Sequence, residues 1–232
     1  MTERMLVVLI AIAMLGGCKS KTETAGDATP AGSTSSQSKD SAVVTEAPGN
    51  PTGTEAGTPQ YGEPPAIDVG LSVDEAYAAI PHRRTVWVES NSTVPTEEKA
   101  YLKVIFEVMD QAIAVRVAGL QSFSAQQFDK VDPVANYDQL IMFVRSMPVP
   151  KTLMTYHQKI LDGLWGQQQF FADWRSARDQ FRFAQQIGSH AGARHASAAL
   201  RAAYNELMSK YPDESPTNKD AFFDYHCALD FL

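Results

Sequence analysis

The fold class is decided by residues 96–121, TEEKAYLKVIFEVMDQAIAVRVAGLQ. Apolar side chains recur there at the spacing of one face of an α-helix; they are Leu102, Ile105, Met109, Ala112, Ile113, Val117 and Leu120. Val104, Val108 and Val115 add a second apolar flank, so we expect this helix to lie at the centre of a core. Thr96 is expected to be its N-cap.

Signals for the start and end of helices precede and follow this stretch. Ser72 and Glu75 have the spacing of a capping box, which predicts a short helix that ends before Pro81. Asp132-Pro133 predicts the start of another helix, which runs to about Met147.

The last third of the chain carries similar signals. Pro150 is expected to begin a long helix that could continue through Arg175 to Ile187. An alanine-rich helix is predicted over residues 189–211, and its small side chains would permit close packing against a neighbour. Ser215-Pro216 predicts the start of a C-terminal helix.

These signals together predict an all-α fold for residues 67–232. Five or six helices with short connections are typical of an up-and-down helical bundle. Residues 83–90, RRTVWVES, alternate enough to be extended, but one extended segment makes no sheet. The length of about 166 residues suits a single domain.

Residues 18–66 have a different composition, rich in Thr, Ser, Gly, Ala and Pro. After Cys18 this segment contains no Leu, Ile, Met, Phe or Trp. Such a chain cannot bury enough apolar surface to offset its ordering entropy, so we predict a disordered tether. Coil statistics give it an end-to-end distance on the order of 40 Å.

An export signal is predicted over residues 1–17, MTERMLVVLIAIAMLGG. Arg4 precedes an uncharged apolar run over residues 5–17. As a helix this run would span roughly 20 Å, less than the roughly 30 Å hydrocarbon core of a bilayer. A cleavable signal is therefore favoured over a membrane span.

Leu15-Gly16-Gly17-Cys18 resembles the lipobox of bacterial lipoproteins, and the resemblance covers residues 1–18 only. It implies that the Cys18 thiol receives a diacylglycerol, that cleavage occurs before Cys18, and that the freed amine is acylated, for example with palmitate. Several acyl chains anchor a protein firmly, whereas one holds it only marginally. The alternative is an ordinary secretory signal with an incidental cysteine.

The residue after Cys18 bears on the destination. Lys19 stands where an aspartate would retain a lipoprotein in the inner membrane of well-studied diderm bacteria. The resemblance therefore implies the outer membrane, with the domain in the periplasm or at the cell surface. The net charge of −7 argues against nucleic-acid binding.

The sequence contains no recognised motif for a metal, a cofactor or a catalytic nucleophile. The histidines are expected to be surface or hydrogen-bonded residues; they are His82, His157, His190, His195 and His226. Arg116 falls near the apolar stripe of the central helix and should need a buried carboxylate or carbonyl partner.

Five arginines form the candidate binding site. Arg175, Arg178 and Arg182 would share one face of a continuous helix, and Arg194 and Arg201 lie on the next helix. Guanidinium groups suit phosphate and carboxylate ligands, such as those of a lipid headgroup, lipopolysaccharide or a wall polymer. Internal pairing with Glu206, Asp220, Asp224 and Asp230 is the favoured alternative.

The sequence thus predicts a cell-envelope lipoprotein, bound to the membrane through its lipid anchor, with a non-catalytic helical domain. That domain would bind an anionic envelope component or an envelope protein, or support an assembly. An envelope enzyme with an unrecognised active site is the alternative function.

Overall fold

The computed structural model describes residues 61–231, so the predicted signal peptide, Cys18 and nearly all of the predicted tether lie outside the described residues. The described range contains seven α-helices and three short 3-10 helices, and it contains no β-strand. The α-helices are α1 (Val73–Ala78), α2 (Thr96–Ser124), α3 (Pro133–Ser146), α4 (Met154–Ser176), α5 (Gln180–Ala184), α6 (Ala191–Lys210) and α7 (Pro216–Leu229). The 3-10 helices are Glu89–Asn91, Lys151–Leu153 and Ile187–Ser189.

The five long helices form the bundle, which confirms the predicted all-α fold. Helix α2 packs against α3, α3 against α4, α4 against α6 and α6 against α7; α7 returns to pack against α2. The short helix α1 packs on α2. None of the described helices is both long and apolar enough to cross a bilayer.

The central position predicted for α2 is confirmed. Its buried residues come from both predicted flanks, and Leu102, Ile105, Val108 and Val115 are all fully buried. Helix α2 begins at Thr96 itself, and Pro95 occupies the N-cap position without a side-chain cap, so the cap predicted for Thr96 is wrong by one residue.

The starts predicted from Ser72, Asp132 and Ser215 are confirmed, whereas the helices predicted from Pro150 and residue 189 begin later, at Met154 and Ala191. Ser72 and Glu75 form the reciprocal hydrogen bonds of a capping box at α1. Asp132 accepts from the backbone N–H of Ala135 at the start of α3, and Ser215 caps α7. Both of these helices have proline as their first residue, where a missing N–H costs no intrahelical bond.

The long helix predicted from Pro150 to Ile187 is wrong, because α4 ends at Ser176. Ala177 adopts an extended conformation with φ −69° and ψ 136°. Asp179 then accepts from the backbone N–H of Arg182 at 2.9 Å and begins α5. The indole N–H of Trp174 donates to the Gln180 carbonyl at 3.0 Å, which holds the chain after the break.

Residues 82–94 run as a largely extended segment alongside α7. The segment pairs with no strand of the described range; side chains of α7 and of Glu214, just before α7, form hydrogen bonds with its backbone. The Asp224 carboxylate accepts from the backbone N–H of Thr85 at 3.0 Å. The Asn218 side chain accepts from the Val88 N–H at 2.9 Å and donates to the Val88 carbonyl at 3.1 Å. Glu214 accepts from the backbone N–H of Thr93 at 3.1 Å. Trp87 is thereby packed edge-on against Phe106 of α2.

Helices α4 and α6 are antiparallel and pack unusually closely through small residues. A Cβ placed on Gly166 would lie 2.7 Å from the Gly192 carbonyl oxygen and 3.0 Å from the Ala196 Cβ. A Cβ on Gly163 would lie 3.0 Å from the Leu200 side chain. The close approach predicted from the alanine-rich sequence is therefore present, and two glycines of α4 complete it.

Candidate functional site

Arg175, Arg178 and Arg182 were predicted to share one face of a continuous helix, and this prediction is wrong. The helix is interrupted at Ala177, which separates the three residues. Arg175 lies in the last turn of α4, Arg178 in the connection and Arg182 on α5. Arg194 and Arg201 both lie on α6.

Two of the five arginines are paired within the domain. Arg175 donates from Nη2 to Asp132 Oδ1 at 2.8 Å and from Nη1 to Oδ2 at 3.3 Å, and its guanidinium lies 5.7 Å from the Phe123 ring centroid. Arg201 lies 3.5 Å from Asp230 Oδ2 through Nε and donates from Nη2 to the Ser197 hydroxyl at 2.7 Å. These two guanidiniums are already committed to intramolecular contacts.

The other three arginines are exposed: Arg178, Arg182 and Arg194. No ion pair within residues 61–231 involves any of them. The nearest acid in sequence, Asp179, caps α5 through the backbone N–H of Arg182. The structure therefore leaves three guanidiniums available to an external anion.

The acids that were expected to neutralise these arginines mostly have other partners. Arg83 pairs with Asp220 at 2.8 Å and with Asp224 at 3.3 Å. Glu206 pairs with Lys159 across the α4–α6 interface. Of the four predicted acids, only Asp230 contacts one of the five candidate arginines.

Two histidines have a lowered pKa, because His226 is buried and His157 is partly buried. Burial lowers the pKa of His226 to about 4, and its hydrogen bond to the Phe222 carbonyl offsets only part of this shift. The other ring nitrogen of His226 lies 3.3 Å from the Tyr156 hydroxyl. Burial also lowers the pKa of His157, whose ring contacts the Tyr101 hydroxyl at 2.8 Å. Both rings act as neutral hydrogen-bonding groups at pH 7.

The remaining histidines lie at separate places on the domain. His82 contacts the backbone carbonyl of Asp224 at 3.1 Å, and His190 contacts the Asp173 carboxylate at 3.0 Å. His195 is exposed and lies beside Trp165. Within the described range, no three His, Cys, Asp or Glu side chains lie close enough to hold a metal ion.

Arg116 has the carbonyl partner that its position predicted. It is 1% exposed and donates from Nη2 to the Ala228 carbonyl oxygen at 2.5 Å. Burial lowers the pKa of this guanidinium, against the opposing influence of Tyr137 and Asp230. The contact joins the centre of α2 to the last turn of α7, so Arg116 is a structural residue.

Cys227 lies on α7 and is partly buried. The only other cysteine in the sequence is Cys18, which lies outside the described residues. A sulfur in a thioether cannot also form a disulfide, so lipidation of Cys18 and a Cys18–Cys227 bond exclude each other.

Comparisons with known proteins found no relative of this chain. The chain matches no protein-family model, no characterised protein and no solved structure. Function is therefore inferred from the residues themselves.

Proposed function

We propose that the protein is a lipoprotein of the cell envelope whose helical domain binds an anionic envelope component without catalysing a reaction. The lipobox-like residues 15–18 support the lipid anchor, and the composition of residues 19–66 supports a tether between that anchor and the domain. The outer membrane is the proposed location because Lys19 follows Cys18.

The observation that carries the binding function is the exposure of Arg178, Arg182 and Arg194 without ion pairs in a domain that pairs its other candidate arginines. Each guanidinium presents a planar set of N–H donors that matches the oxygen atoms of a phosphate or carboxylate. An exposed arginine that forms no internal pair loses no existing contact when it binds such a group.

The proposed ligand is a polyanion of the envelope surface. Lipid headgroups, lipopolysaccharide and phosphate-bearing wall polymers all present repeated anionic groups. Three guanidiniums spread over the α4–α5 connection, α5 and α6 would contact several of these groups at once, which raises affinity above that of one contact.

The test is a titration of the full-length chain, solubilised in a zwitterionic detergent, with fluorescently labelled inorganic polyphosphate. Fluorescence anisotropy reports binding without interference from the lipid anchor, which would itself bind vesicles. We expect saturable binding that weakens as salt is added, because salt screens exposed charges. The triple variant Arg178→Gln, Arg182→Gln, Arg194→Gln should bind about tenfold more weakly or worse.

The matched control is the double variant Arg175→Gln, Arg201→Gln. It removes two cations from the same region of the chain, but both are engaged internally. This variant should keep most of the wild-type affinity. Equal loss in both variants would show only a general charge effect, and unchanged binding by the triple variant would refute the proposed surface.

A further inference from the structure

Trp165 is a large aromatic side chain on the outer face of α4. It is 49% exposed, whereas the other two tryptophans, Trp87 and Trp174, are 8% and 2% exposed. The ring of His195 on α6 stands beside it, with the centroids 6.2 Å apart and the planes at 89°. The indole ring is thus flanked by a neighbouring helix but remains open to solvent.

Hydrogen-bonded polar pairs lie on both sides of Trp165 along α4. The Gln158 amide donates to Asp162 Oδ1 at 2.9 Å, and the Gln169 amide donates to Asp173 Oδ1 at 2.9 Å. Because successive residues of an α-helix are rotated by about 100°, all four side chains lie within roughly 80° of the Trp165 direction. The outer face of α4 therefore carries one aromatic ring between two amide–carboxylate pairs.

The amide–carboxylate pairs reduce the conformational freedom of groups that could contact a ligand. Each pair spans one helical turn, a spacing at which side chains are neighbours. Each glutamine amide still has a second N–H, and Asp162 has a second carboxylate oxygen that accepts no hydrogen bond from another described residue. Donors and acceptors held in place lose less entropy on binding than free side chains.

We propose that this face of α4 is a binding site for a neutral carbohydrate, with Trp165 as the stacking platform. One side of a pyranose ring is covered by C–H groups and is apolar, whereas its rim carries hydroxyls. The C–H side suits the flat indole, and the hydroxyls suit the amide and carboxylate groups beside it. The two carboxylates favour an uncharged ligand over an anion, so the proposed ligand differs in charge from that of the arginine surface.

The site stands independently of the proposed polyanion binding, because it uses different residues and an uncharged ligand. Its test uses the full-length chain in a zwitterionic detergent that contains no sugar. Cellohexaose, chitohexaose and maltohexaose are titrated separately, with sorbitol as an open-chain polyol that has no ring face. Acrylamide quenching of tryptophan fluorescence reports chiefly on Trp165, because the other tryptophans are buried.

We expect at least one hexasaccharide to protect the fluorescence saturably from acrylamide, with no protection by sorbitol. In isothermal titration calorimetry, Trp165→Ala should weaken binding of that hexasaccharide about tenfold or more, and Trp165→Phe should retain part of the affinity. Met154→Ala is the matched control, because Met154 lies on the same face of α4 and is 61% exposed; it should bind as the wild type does.

Two results would overturn the proposal. One is the lack of saturable protection by any of the three hexasaccharides. The other is binding that Trp165→Ala leaves unchanged, which would place the sugar elsewhere on the protein. Unaltered circular dichroism of Trp165→Ala would verify that its loss of binding does not come from unfolding.

Discussion

Arg116 of α2 donates a hydrogen bond to the Ala228 carbonyl of α7, and the other two guanidinium nitrogens, Nε and Nη1, form no hydrogen bond with the described residues. The acceptor lies in the last turn of α7, where backbone carbonyls lack intrahelical partners. The helix dipole also favours a cation at this end. Gln167 of α4 donates to the next carbonyl, that of Leu229, so two helices hold the end of a third.

This arrangement predicts that shape at position 116 matters more than charge. Arg116→Met keeps most of the volume and removes a poorly compensated buried charge, at the cost of one unpaired carbonyl. We expect its free energy of unfolding to stay within about 1 kcal/mol of the wild type. Arg116→Ala leaves a cavity and should lose about 3 kcal/mol.

Urea unfolding followed by circular dichroism measures both Arg116 variants. Equal destabilisation by Met and Ala would contradict this expectation, because it would make the positive charge itself the stabilising feature.

The close contact between α4 and α6 predicts a difference between two glycines of one helix. A Cβ at position 166 meets the Gly192 backbone, which cannot move without shifting α6, whereas a Cβ at position 163 meets the flexible Leu200 side chain. Gly166→Ala should therefore destabilise the domain by about 1–3 kcal/mol. Gly163→Ala should cost less, because Leu200 can change rotamer. Thermal unfolding of the two variants side by side is the measurement, and the opposite ranking would rule out backbone contact as the cause.

Glu214 predicts an acid-dependent loss of stability. Burial raises its pKa, but hydrogen bonds from Ser92, Ser215, Asn218 and Thr93 outweigh this, so the pKa lies below the ordinary value of 4.5. A carboxyl whose pKa is lower in the folded state stabilises the fold above its unfolded pKa, and that contribution disappears as the pH falls through the folded pKa.

The variant Glu214→Gln tests this relation. Its free energy of unfolding should be lower than that of the wild type at pH 7, and the two values should converge below pH 4.5 as the wild-type carboxyl is protonated. Glu89→Gln, a change at an exposed glutamate in the 3-10 helix just before Ser92, is the control and should follow the wild type across the range. A constant gap between Glu214→Gln and the wild type at every pH would mean that ionisation of Glu214 plays no part.

The helix starts at Ser72, Asp132 and Ser215 could be predicted from the sequence because their signals are local. Ser72 with Glu75, and Asp132 with Pro133, specify caps through contacts within four residues. The central place of α2 followed from apolar residues on two flanks, which leave it little surface to expose. These features need no knowledge of the distant chain.

The end of α4 at Ser176 and the ion pairing of the arginines could not be predicted in the same way. The break depends on the Trp174 indole reaching the Gln180 carbonyl, a contact that apolar spacing does not encode. Arg175 forms its ion pair with Asp132, which is 43 residues away in the sequence. The two residues become neighbours only when α3 packs on α4. The exposure of Trp165 was implicit in its place on the polar face of α4, but aromatic residues are more often buried.

The anchor is the central claim, and mass spectrometry of the protein purified without reductant from a bacterial envelope tests it most directly. The account predicts a chain that begins at Cys18, with the mass of a diacylglyceryl group on its sulfur and of a fatty acyl group on its amine. A chain that retains residues 1–17, or a Cys18 peptide joined through a disulfide to the Cys227 peptide, would contradict it.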